Sequence, residues 1–249
     1  QAVWRCVLPA WKGECFRMPE KNQTKYRHEL KYQVTDAEIR MLKNRIDHLL
    51  PLDSHVARTG SYFIRSLYFD DYNNRCFWEN EDGVAPREKY RIRIYENSNT
   101  RINLECKRKE NDKIHKSSCR LTMEQFEYLA YGKGILSLES LPPLAQKLQV
   151  LKMTTGMSPR VIVEYERTPY VHKNGNVRVT FDRNITSSTQ VDQFFSAETK
   201  KRPILPSGMQ LLEVKYDEYL PDPIYHALML DNMQRTNFSK YYLCRKYSI

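Results

Sequence analysis

Residues 88–95 read EKYRIRIY and residues 101–109 read RINLECKRK, and these two stretches decide the fold. In the first, Lys89, Arg91 and Arg93 alternate with Tyr90, Ile92 and Ile94. In the second, Glu105, Lys107 and Lys109 alternate with Leu104 and Cys106. Successive side chains of a strand point to opposite faces, so a period of two gives each strand one apolar face and one charged face. The polar stretch 96–100 (ENSNT) between them suits an antiparallel hairpin and is too short for a parallel crossover.

The same alternation recurs outward from this pair. Glu29 and Lys31 share a face; Arg178, Thr180 and Asp182 oppose Val177, Val179 and Phe181; Glu213 and Lys215 oppose Leu212 and Val214. With 26–33, 62–69, 113–121, 160–168, 176–182 and 210–216, the strand-like segments rich in β-branched and aromatic residues number eight. Turn chemistry separates them at 110–112 (END) and 173–176 (KNGN). Helices are predicted at 37–50, opened by a Thr35 to Glu38 capping box, after Thr122 to Gln125, at 144–152, and at 224–233 behind an Asp222 cap and Pro223. Residues 187–208 read as a mobile loop. The fold class is therefore α+β, one domain over 18–249 built on a curved antiparallel sheet. Residues 1–16 carry neither a continuous apolar run nor a small-residue cleavage motif, so they do not read as a signal peptide. Residues 1–17 are set aside as an N-terminal extension before Met18.

Of 249 residues, 40 are Lys or Arg and 30 Asp or Glu, a net charge of +10. Such an excess calls for an anionic partner, whether nucleic acid, acidic lipid or a phosphate-rich small molecule. No stretch of about 18 apolar residues is present, which excludes a helical membrane span. Six cysteines without a CxxC pair point to reduced thiols rather than a zinc site or a disulfide scaffold.

Charged stripes are ordinarily the solvent face of a sheet packed on helices. Five strands whose stripes mix both signs fit a different arrangement, a sheet closed on a polar lumen. Crowded Lys and Arg repel one another unless a polyanion enters, and a carboxylate among them can hold a divalent metal bridging phosphates. Relieving such a lumen of one cation is then expected to stabilise the empty protein.

The ordered set Glu29-Leu-Lys31, Ser66-Leu-Tyr68-Phe-Asp70, Arg91-Ile-Arg93, Glu105-Cys-Lys107, Tyr165-Glu-Arg167, Arg178-Val-Thr-Phe-Asp182, Glu213-Val-Lys215 and Phe238-Ser-Lys240-Tyr241 resembles the catalytic domain of the vacuolar transporter chaperone (VTC) family of triphosphate tunnel metalloenzymes. The resemblance implies an eight-stranded antiparallel β-tunnel with flanking helices. It implies an enzyme that transfers the terminal phosphate of ATP onto inorganic polyphosphate with Mn2+ or Mg2+. Lys31, Arg91, Arg93, Lys107, Arg167, Arg178 and Lys240 would be the catalytic phosphate-binding cations. Glu213 and Glu105 would be the metal ligands. Glu29, Lys89, Lys109, Lys116, Ser239 and Lys215 would assist substrate binding, although the local sequence around Lys116 departs from the family pattern. A cytoplasmic enzyme beside a membrane-protein partner is the expectation that follows.

Two other functions fit the same residues. A triphosphatase would use the same tunnel with water as acceptor. A polyphosphate- or nucleic-acid-binding module would draw on the basic charge and the 17 tyrosines, but carboxylates among the cations weaken backbone binding. The six histidines show no ligand spacing. Residues 132–134 (GKG) lack the P-loop pattern GxxxxGK followed by Ser or Thr. Tyr68 and Tyr241 read as packing residues.

Overall fold

The structure, a computed structural model, describes residues 27–56, 60–110 and 113–246. The N-terminal stretch through Tyr26, with Cys6 and Cys15, and residues 111–112 of the turn expected at 110–112 lie outside the described residues. The strands are β1 (His28–Thr35), β2 (Tyr62–Asp70), β3 (Arg87–Tyr95), β4 (Ser98–Glu110), β5 (Lys113–Leu121), β6 (Ser158–His172), β7 (Val177–Ser188), β8 (Arg202–Pro203) and β9 (Met209–Tyr216). The helices are α1 (Asp36–Ile46), α2 (Arg75–Glu81), α3 (Met123–Tyr131), α4 (Pro143–Thr155), α5 (Asp222–Ala227) and α6 (Lys240–Lys246).

All pairings are antiparallel, in the order β1-β9-β7-β6-β2-β3-β4-β5, with the two-residue β8 added beside β7. Local chemistry sets the turns. Glu96 and Asn97 take φ of 51° and 53°, so β3 and β4 join through two left-handed residues whose twist matches the strands. The hairpin therefore tightens, and β4 starts at Ser98 rather than 101. At the β6–β7 turn Gly175 has φ 69°, and a Cβ there would lie 2.4 Å from the Tyr219 carbonyl oxygen. Only glycine fits.

Helices cover both ends of the outer face. Phe126 and Leu129 of α3 and Ala145 and Leu148 of α4 pack on Tyr90, Ile92, Ile94 and Leu104. Ile39, Leu42 and Ile46 of α1 and Ile224 of α5 pack on Val179, Phe181, Leu212 and Val214. Each such buried side chain contributes about 1.5–3 kcal/mol of transfer free energy. Thr35 with Glu38 and Thr122 with Gln125 both form the reciprocal capping boxes expected. Gly132, in the 132–134 stretch, closes α3 at φ 67° and holds no phosphate loop.

A third apolar cluster lies on the opposite, concave face. Ile64, Tyr68, Val161, Val163, Tyr165 and Leu211 pack against Phe238, Tyr241 and Cys244, with Cys76 and Phe77 of α2. The C-terminal helix α6 is thus seated inside the curved sheet.

Four expectations need correction. Among the described residues no ladder joins β1 to β5, so the sheet curves without closing. The helix expected at 224–233 ends at Ala227, and Pro221 rather than Asp222 occupies the cap. The short α2 and α6 were not foreseen, since neither spans enough turns to show a period. Residues 187–208 are not a free loop. Fully buried Arg65 donates to Glu164 at 2.6 Å and to the carbonyls of Phe194 and Ser196 at 2.8 and 2.7 Å, and Phe194 is itself fully buried.

Candidate active site

The concave face divides into an apolar floor under α6 and a charged region beside it. Strand register decides which side chains meet in the charged region. Arg91 lies opposite Glu105, Lys89 opposite Lys107, Lys31 opposite Glu213 and Glu29 opposite Lys215. All belong to the charged stripes, so pairing puts them on one wall.

Three clusters result. In the first, Glu105 is buried and receives Arg91 Nε at 2.8 Å, Lys116 Nζ at 2.7 Å and Arg93 Nη1 at 3.8 Å. Arg91 also donates to the Tyr68 hydroxyl at 2.9 Å, and Arg93 to Ser66 Oγ at 3.2 Å and Tyr165 Oη at 3.3 Å. Burial raises the Glu105 pKa, but Arg91, Arg93 and Lys116 outweigh it and hold the carboxyl well below its usual range.

In the second cluster Asp182, with no exposure to solvent, is held bidentately by Arg167 at 2.6 and 2.8 Å and by Lys240 Nζ at 2.6 Å. Both cations also sit over the Tyr165 ring, at 5.2 and 4.7 Å from its centroid. Burial opposes the charged form of Lys240, yet Asp182 more than compensates and keeps it an ammonium.

The third cluster joins strands from both ends of the sheet. Glu213 meets Lys215 at 3.1 Å, Arg167 at 3.4 Å and Lys31 at 4.0 Å, while Glu29 meets Lys31 at 2.9 Å and Lys107 at 3.1 Å. The Glu29 and Glu213 carboxyls are within hydrogen-bonding reach of each other. Burial raises the Glu213 pKa, and Lys215, the bond to Glu29 and Arg167 reverse that effect and drive it well below the usual range. Lys31 also donates to the Phe238 carbonyl at 3.1 Å, tying β1 to the chain entering α6.

Two adjacent carboxylates offer oxygen donors suited to a hard divalent cation, with phosphate oxygens and water completing the shell. Glu29 and Glu213 fit that role. Glu105 has no partner in common with Glu213, and among the described residues no cluster of three or more His, Cys, Asp or Glu groups gathers as a metal site. Within this geometry Glu105 serves as the counter-ion that fixes Arg91, Arg93 and Lys116.

The remaining predicted residues are placed as follows. Ser239 Oγ lies 3.4 Å from Lys89 Nζ, and Lys109 follows Lys107 on the same face, opposite Arg87. Arg178 lies opposite Lys215 on the same face of β7 as Asp182, but its guanidinium is held by Asp53 at 2.8 Å. Sequence reasoning gave no site role to Asp182, Ser66, Tyr68, Tyr165 or Asn80. The first four lie at the same period-two positions as the basic stripes; Asn80, on α2, carries no such signal.

A curved antiparallel sheet that bears buried, ion-paired Lys and Arg on its concave face is the triphosphate tunnel fold. Two solved structures share it: a candidate adenylate cyclase from Bacillus halodurans, with TM-score 0.51 and 11% identity over 86% of this chain and 94% of that one, and an adenylyl cyclase candidate from Hippeastrum with a dominant triphosphatase activity, with TM-score 0.51 and 11% identity over 88% of this chain and 96% of that one. The model of the VTC domain matches residues 26–249, and the chain belongs to the VTC domain family. No curated protein matches the chain.

Proposed function

We propose that the concave face binds the triphosphate of ATP and transfers its terminal phosphoryl group onto inorganic polyphosphate. The convergence of Lys31, Arg91, Arg93, Lys107, Arg167 and Lys240 on one lumen carries this reading. Phosphoryl transfer asks for positioning and charge neutralisation more than for covalent help. Arg forks grip non-bridging oxygens in pairs, and Lys supplies point charges.

Each of these six cations is already held by a carboxylate, so an arriving phosphate chain replaces Glu105, Asp182 or Glu29 as its partner without building the site afresh. The ordering cost is met during folding, which favours fast and specific capture. Glu29 and Glu213 would hold Mn2+ or Mg2+, which when bound offsets the negative charge between phosphates. A phosphate terminus is already anionic, so the acceptor needs no dedicated general base. Cytoplasmic ATP would be the donor, and a membrane-protein partner would receive the product.

Incubation with ATP and Mn2+ tests the reading, with polyphosphate read by gel staining and phosphate release measured in parallel. Long polymer with stoichiometric ADP is expected. Free phosphate without polymer would assign the tunnel to triphosphate hydrolysis instead, the activity named for the Hippeastrum protein.

A further inference from the structure

Lys89 differs from its neighbours in the lumen. Lys31, Lys107, Lys116, Lys215 and Lys240 each have a carboxylate within 4.0 Å. Among the described residues no carboxylate reaches the Lys89 ammonium. Its contacts are the Asn80 side-chain oxygen from α2, Ser239 Oγ at 3.4 Å and the Tyr241 ring at 5.5 Å.

The surroundings are cationic on most sides. Arg87 and Arg91 flank Lys89 on β3, Lys107 lies opposite on β4, and Lys31 approaches from β1. From α2 come Asn80 and the neutral thiol of Cys76, with Glu79 acting on that thiol. Asp70 on β2 is the acid of this neighbourhood. It accepts the backbone N–H groups of Asp71, Cys76 and Phe77 together with the Tyr241 hydroxyl, so it is committed elsewhere. Burial, then Arg87, Lys107 and Lys31, push the Lys89 amine down to about 7.

We propose that Lys89 is a proton-coupled binding residue of the tunnel, gripping a phosphate oxygen as the ammonium and taking up its proton as the anion arrives. The assignment rests on the lumen being a phosphate-chain site. An oxygen anion beside Lys89 supplies the counter-charge that no protein group provides. The neutral amine then gains one proton from solvent, and the Asn80 oxygen and Ser239 hydroxyl orient the resulting N–H groups. Phosphate affinity thereby becomes linked to proton concentration near neutrality.

Isothermal titration of inorganic triphosphate tests this on wild type, Lys89→Arg and Lys89→Met from pH 6.5 to 8.5, in two buffers of different ionisation enthalpy. Titration of triphosphate itself is common to all three proteins and cancels in their ratios. Against Lys89→Arg, which stays charged, wild-type affinity should fall about 15-fold between pH 7 and 8.5. Wild type should also take up close to one proton more on binding at pH 8. Against Lys89→Met, the wild-type advantage should shrink toward none over the same range, which serves if the arginine variant fails to fold. Triphosphate binding with the same pH dependence and proton uptake in all three would overturn the role of Lys89 and leave the phosphate tunnel standing. Absence of triphosphate binding by wild type at every pH would overturn both.

Discussion

Lys107 on β4 donates to Glu29 on β1 at 3.1 Å, although these strands stand near opposite ends of the sheet order. Among the described residues no backbone ladder closes the gap. Side chains from β1 and β4 draw the two ends of the sheet together, and under the proposed function the same groups would bind the phosphate chain.

Arg91→Ala, Arg93→Ala and Glu213→Ala should each lower turnover of ATP by about 100-fold or more, the usual loss when a group that stabilises transition-state charge is removed. Far-UV circular dichroism should show the fold retained. Near-normal rates in all three would place the chemistry elsewhere.

Arg167→Met should destabilise the protein by about 3 kcal/mol in urea denaturation, because it strips Asp182 of its bidentate partner while leaving that carboxylate fully buried. Lys240 remains as a single counter-ion, which keeps the loss at the lower end for a broken buried pair.

Lys89→Met should raise the melting temperature of the ligand-free protein, whereas Lys31→Met and Lys107→Met should lower it or leave it unchanged. A lumen of unopposed cations would gain from losing any one of them. The structure restricts that gain to Lys89, since removing Lys31 or Lys107 takes one of the two lysines that hold Glu29. Thermal melts of the three variants in low-phosphate buffer give the comparison.

Glu105 and Glu213 both titrate below the ordinary carboxyl value of 4.5 in the folded chain. A depressed folded pKa contributes stability that is fully present above the unfolded value and is lost as pH falls through the folded one. Urea midpoints should therefore drop as pH is lowered below about 4.5. Glu105→Gln should be less stable at neutral pH and should flatten that acid limb. An unchanged acid limb in this variant would mean that Glu105 is not held ionised by its cations.

Much of this was legible in the sequence because it follows from a period of two. The stripes at Lys89, Arg91 and Arg93 and at Glu105 and Lys107 fix the strand faces, and all eight segments fall on strands, although β6 and β7 run four and six residues past the expected ends at 168 and 182. Which charges meet depends on register, and register depends on turns such as Glu96-Asn97 that composition only approximates. Arg178 shows the limit: it sits on an alternating strand like the others, yet a loop residue, Asp53, takes it. Lys116 shows the reverse, for its unfamiliar local sequence still reaches Glu105. The single-helix features, α2 with Asn80 and α6 within the sheet, have too few turns to announce themselves and are placed by long-range packing.

The most direct test of the lumen as a phosphate-chain site is calorimetric binding of inorganic triphosphate, without turnover, to wild type and to an Arg91→Ala, Arg93→Ala double variant. Binding by wild type and a loss of at least 100-fold in the variant is the expected result, two charge-assisted contacts being worth about 1.5–3 kcal/mol each. Equal affinity in the two proteins would contradict the account.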